Sequence, residues 1–97
     1  MSEKLDVIYI GRKPAMSYVL AIITSFSASN LKEVTLKARG QAITTAVDVA
    51  EITKRRFLKE LKIGKISIGT EEMPPREGEA ESRPRMVSTM EITLSRK

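Results

Sequence analysis

The chain has 97 residues, a formal net charge of +5, and neither cysteine nor histidine. That length fits one small domain, and the missing residue types exclude disulfides, thiolate or imidazole catalysis and most transition-metal sites. No run approaches the roughly 20 apolar residues of a membrane span, and MSEKLD lacks a signal peptide's apolar stretch, so a cytoplasmic protein without a membrane partner is expected.

LDVIYI (5–10) is rich in strand formers and is closed by Gly11, which predicts a strand. Val7 and Tyr9 lie on one of its faces, Ile8 and Ile10 on the other, the pattern of a strand buried on both sides. Pro14 suits the first position of a helix, where a missing N–H costs nothing. Met16, Val19, Leu20, Ile23 and Phe26 follow at helical spacing, until SASN (27–30) ends the run.

Over 33–39, Val34, Leu36 and Ala38 alternate with Thr35, Lys37 and Arg39, which predicts a half-exposed strand. After Gly40 a long helix is expected over about 41–60, with a main stripe of Ile43, Ala46, Val47, Ala50, Phe57 and Leu61. Ala42, Val49 and Ile52 make a second stripe, consistent with either extra core or a subunit contact. KISIGT (65–70) and MVSTMEITL (86–94) read as the last two strands, the latter with Met86, Met90, Ile92 and Leu94 on its apolar side.

The order β-α-β-α-β-β requires a crossover between the first two strands, which are therefore parallel. The expected fold is an α+β two-layer sandwich: a four-stranded mixed sheet, two helices on one face, and an extended arm between the third and fourth strands. That arm, TEEMPPREGEAESRPR (70–85), holds five acids and three arginines, so the +7 balance sits on the remainder of the chain.

Parallel first and second strands end on one edge of the sheet. One ends in Gly11-Arg12-Lys13, the other in Lys37-Ala38-Arg39-Gly40-Gln41, and both run straight into helices, whose N-termini attract anions. Four cations converge there, with no carboxylate in either corner, which suits a phosphate backbone better than a mononucleotide: neither G-x-x-x-x-G-K-[ST] nor G-x-G-x-x-G is present. Tyr9, Tyr18, Phe26 and Phe57 are the only aromatics; Tyr9 and Phe26 are expected in the core, leaving no stacking platform on the sheet and favouring duplexes. Arg76, Arg83 and Arg85 would enter a minor groove if the arm projects as a ribbon, against its own acids. Glu51 and Glu60 stand among Lys54, Arg55, Arg56 and Lys59, as intrahelical ion pairs rather than catalytic acids, and no enzyme activity, cofactor or metal is expected.

IGRKPAMSYVLA, LKARGQAITTAVDVAEITKRRFL and STMEITL together resemble the Alba proteins, small basic archaeal chromatin proteins. The resemblance covers nearly the whole chain outside 70–85. It implies a fold like the C-terminal domain of a bacterial translation initiation factor, and a dimer that binds double-stranded DNA, or RNA, with little sequence preference. Carried over by position, it implies Arg12, Lys13, Lys37 and Arg39 as contacts, with arms reaching toward the minor groove and Phe57 acting between dimers along DNA.

Three positions depart from the family pattern. Arg12 stands where a lysine is acetylated, and a guanidinium cannot undergo that modification, which leaves Lys13 as the corner's amine. Gln41 replaces an arginine, and the arm is acidic. These departures suggest a divergent paralogue that forms a homodimer or pairs with another Alba chain, with Val49, Ile52 and Phe57 as candidate oligomer contacts. The expected function is a chromosome-associated, sequence-tolerant duplex DNA binder that coats or bridges DNA, with an RNA-binding ribonucleoprotein component as the alternative.

Overall fold

The computed structural model describes residues 4–28, 31–74 and 84–96. Its elements run β1 (Lys4–Tyr9), α1 (Ala15–Ala28), β2 (Leu31–Arg39), α2 (Ala42–Ile52), a π-helical turn (Thr53–Phe57), β3 (Leu61–Met73) and β4 (Arg85–Arg96). The strands form one sheet in the order β1-β2-β4-β3. β1 and β2 are parallel, and β4 runs antiparallel to both β2 and β3. This is the expected β-α-β-α-β-β sandwich.

The core lies between the helices and one face of the sheet. β2 contributes Val34, Leu36 and Ala38, exactly the residues its alternation selects, and β4 contributes Ile92 and Leu94. Val19, Ile22 and Phe26 of α1 and Ala46, Val49 and Ala50 of α2 close over them. Arg96 clamps one end: its guanidinium donates to the Phe26 carbonyl at 2.7 Å and lies over the Phe26 ring.

Where burial departs from the sequence pattern, the cause is geometric. β1 is not buried on both sides: Val7 and Tyr9 are exposed, Tyr9 at 73%, because the helices cover only one face of the sheet. In α1 the buried stripe is Tyr18, Val19, Ile22 and Phe26, while Met16 and Leu20 face outward. Tyr18, which the expected stripe omits, turns inward, and its hydroxyl has partners in the preceding turn.

The second helix ends at Ile52 instead of about residue 60. Leu58 N–H donates to Thr53 O at 2.8 Å, an i→i+5 bond that widens the final turn. Widening breaks the 3.6-residue phase, so Phe57 leaves the core stripe and is 46% exposed. Val47 is also partly exposed. The Glu51–Arg55 pair forms as expected, at 2.6 Å on the surface.

β3 and β4 extend well past the helical layer. Ile66 pairs with Ile92 and Ile68 with Met90, so all four share the helix-facing side. The helices reach Ile92 but not Ile66 (56% exposed), Ile68 (79%) or, further along, Met86 (67%). An uncovered apolar strip results. Met86 thus belongs to the apolar side of its strand but not to the core.

Candidate nucleic-acid interface

The first corner is held by one oxygen. The buried Tyr18 hydroxyl accepts hydrogen bonds from the N–H of Gly11 at 2.8 Å and of Lys13 at 3.1 Å. Ile10 N–H meanwhile donates to Lys37 O at 2.8 Å, tying the end of β1 to β2. The backbone carrying Arg12 and Lys13 is therefore fastened on both sides while their side chains stay exposed. Sequence reasoning gave Tyr18 no role. Its signal was an aromatic with a polar tip four residues after the helix-starting proline, in reach of the turn.

Gly40 makes the second corner, at φ +60°, a left-handed conformation open to glycine at little cost. Its N–H donates to Ser88 O at 2.9 Å, which docks the corner on β4, and its carbonyl accepts from Ile43 N–H at 3.1 Å as α2 begins.

The two corners meet. Gly11, Arg12, Lys13, Arg39, Gln41 and Thr45 line a shallow hollow of about 620 Å³, with Ile10 and Ala42 completing it. Ala42 is the first residue of α2, so the positive end of that helix dipole opens into the hollow. Among the described residues no carboxylate pairs with Arg12 or Lys13.

The other two predicted cations behave differently. Lys37 lies outside the hollow, on the helix-free face of the sheet, in a groove with Tyr9. Its ammonium pairs with Glu91 at 3.6 Å. Arg39 borders both hollow and groove, and its Nη1 donates to Glu71 Oε1 at 2.6 Å and contacts Met73 Sδ at 3.2 Å. The expectation of corners free of carboxylates therefore fails for the second one. Neither acid is near it in sequence; the antiparallel pairing of β4 and β3 brings them alongside.

These surface pairs mask positive charge. In Glu71→Gln, Arg39 is released, and binding of a 20-base-pair duplex at low salt should tighten about two- to fivefold, since an exposed pair is worth up to about 1 kcal/mol. Fluorescence anisotropy at fixed salt measures it; unchanged or weaker binding would mean that Arg39 never meets the ligand.

Of the arm arginines, Arg85 opens β4 opposite Met73, the residue whose sulfur meets Arg39, so it stands beside the second corner. Arg76 and Arg83 lie outside the described residues. Among the suggested oligomer contacts, Val49 is wholly buried within the chain's own core and presents no surface to a partner. Ile52 packs against that core from its edge, and Phe57 is half exposed.

The Alba family pattern matches residues 6–70, a stretch containing both corners, both helices and the first two strands. The chain belongs to the Alba family. It is 43% identical over 96 residues to the DNA/RNA-binding protein Alba of Picrophilus torridus, with 99% of this chain and 100% of that relative covered. The DNA/RNA-binding protein Alba of Methanocella arvoryzae is 48% identical over 91 residues, covering 94% and 90%. The solved structure of Alba from Thermoplasma volcanium matches with a TM-score of 0.82 at 43% identity, over 93% of this chain and 99% of that one. ALBA1 from Trypanosoma brucei matches at 0.72 with 21% identity, over 98% and 72%, a likeness of fold. In this Alba chain the long β3–β4 hairpin runs beyond the matched stretch.

Proposed function

We propose that this Alba protein binds double-stranded DNA without sequence preference, as a dimer that coats or bridges the duplex on the chromosome, by contacts to phosphates. The observation that carries this reading is the hollow at the shared end of β1 and β2, where Arg12 and Lys13 are exposed and unpaired among the described residues. Its charges stand on a fastened backbone at the N-terminus of a helix, an arrangement that suits phosphate oxygens. Phosphate contacts of this kind position a protein on nucleic acid and release counterions but carry no sequence information. The relatives named as DNA/RNA-binding proteins support the same reading.

The dimer rests on the uncovered strip of Ile66, Ile68 and Met86 on the helix-facing side of the β3–β4 hairpin. Ile66 and Ile68 are neighbours on that side, and Met86 stands beyond the Thr70–Ser88 pair; exposed apolar residues of this kind mark a contact surface, and a second copy of this chain or another Alba chain would bury them. Val49 plays no part in that contact.

The salt dependence of binding tests both statements together. Two chains bring four unpaired corner cations, Arg12 and Lys13 twice, while Lys37 and Arg39 each bring a carboxylate that must recruit a counterion when displaced. The slope of log affinity against log salt should then be about −4, not the roughly −7 that eight free cations would give. It should be equal on duplexes of unrelated sequence, and sedimentation velocity should show two chains per particle. A slope near zero, or strong preference for one sequence, would refute the reading.

A further inference from the structure

The helix-free face of the sheet carries a second site. Tyr9, expected from sequence in the core, stands 73% exposed in the final position of β1. In the cross-strand register Tyr9 is opposite Lys37, and Lys37 is opposite Glu91; Arg39, one repeat further along β2, is opposite Thr89, itself opposite Gly69. These six residues share one side of the sheet and line a groove of about 490 Å³. Gly69 keeps the groove open: a Cβ there would come within 3.2 Å of Thr89 Oγ1.

We propose that this groove seats an unpaired nucleotide of single-stranded RNA or DNA, with its base stacked on Tyr9 and its flanking phosphates on Lys37 and Arg39. The proposal deepens the nucleic-acid reading above and depends on it. Three features point to a single strand. An exposed aromatic ring on an open sheet offers a face to a base, and only an unstacked base has a free face to give it. Lys37 and Arg39 stand two residues apart on one strand, about 7 Å along it, a spacing comparable to that of successive phosphates in an extended single strand. The groove is also polarised across its width. Its cations come from β2, next to the ring, and its far wall carries Glu91 and Thr89 of β4, with Glu71 of β3 at one end; the two acids hold Lys37 and Arg39 in surface ion pairs that a phosphate displaces. Carboxylates repel a phosphate but accept from the N–H groups of a base edge, so the ligand lies with its backbone toward β2 and its base edge toward β4. A duplex presents phosphates outward with its base faces hidden, so it meets the cations without stacking on Tyr9.

The test uses the full-length chain with a 12-nucleotide single-stranded RNA and a 20-base-pair DNA duplex at equal salt. Tyr9 is solvent-exposed, so Tyr9→Leu and Tyr9→Phe should both keep the wild-type melting temperature. Tyr9→Leu should weaken single-strand binding about tenfold or more and leave duplex binding within a factor of two. Tyr9→Phe should keep single-strand affinity, because a phenyl ring still stacks. Intrinsic tyrosine emission gives a second readout: the single strand should quench it in the wild type, and the quench should vanish in Tyr9→Phe, where the buried Tyr18 is the remaining emitter. Equal losses on both ligands, or no loss on either, would overturn the proposal. Wild-type binding to the duplex alone would overturn it while leaving the duplex reading intact; binding to neither would bring down both.

Discussion

Replacing Arg12 and Lys13 together by alanine should weaken duplex binding roughly 10²–10³-fold at low salt, taking about 1 kcal/mol for each of four lost phosphate contacts in the proposed dimer. It should also flatten the salt slope from about −4 to about −1. Both effects follow from the state of the four corner cations. Arg12 and Lys13 have no acidic neighbour among the described residues, whereas Lys37 and Arg39 are engaged by Glu91 and Glu71. A cation already facing a carboxylate contributes little net counterion release, because the displaced acid takes up a counterion in turn. The loss should be the same on duplexes of different composition. The corner backbone is fixed by the Tyr18 hydroxyl and by Lys37 O, not by these two side chains, so the melting temperature should not change. Titrations at four or more salt concentrations measure the slope. A loss confined to one sequence would mean that the corner reads bases, and an unchanged slope would move the duplex contact elsewhere.

The largest effect on stability is expected at Leu36. It is fully buried, sits in the middle of β2, and pairs in register with Ile8 on one side and Ile92 on the other, beneath the helices. Truncation to alanine removes its buried methyl groups and leaves a cavity that strands hydrogen-bonded on both sides cannot close. Such substitutions cost about 2–5 kcal/mol, against a total stability of about 5–15 kcal/mol for a domain of this kind. Leu36→Ala should therefore lower the melting temperature by roughly 10 °C or more and shift the urea midpoint without changing the slope of the transition. Circular dichroism during urea unfolding measures this, with wild type and variant at equal protein concentration because self-association makes stability depend on it. A shift below about 1 kcal/mol would contradict the packing described for β2.

How far the sequence could be read depends on the distance over which each feature is determined. β2 was legible because alternation is local, and Val34, Leu36 and Ala38 are the buried residues its pattern selects. The convergence of the two corners was legible because the handedness of a crossover makes parallel strands end together, and the hollow joins them. Features set by partners far along the chain were not legible. Glu71 reaches Arg39 across 32 residues and Glu91 reaches Lys37 across 54, both through strand pairing that no local pattern encodes. Tyr9 and Leu36 look alike as residues of short apolar strands, and only the one-sided helical layer leaves the first in solvent and the second in the core. Phe57 fits a regular helical stripe until the widened turn at Thr53–Phe57 carries it outward.

The strand order has a consequence for how the molecule comes into being. β2 lies beside β4, not β3, so Arg39 must wait for Thr89, fifty residues later, and Glu33 for Ser95, sixty-two later. During synthesis the β1-α1-β2-α2 portion emerges with one margin of β2 lacking its neighbour, and the sheet becomes continuous only when β4 arrives to fill the gap. Pairing across such separations slows folding and prolongs the time in which that bare margin can join another nascent chain.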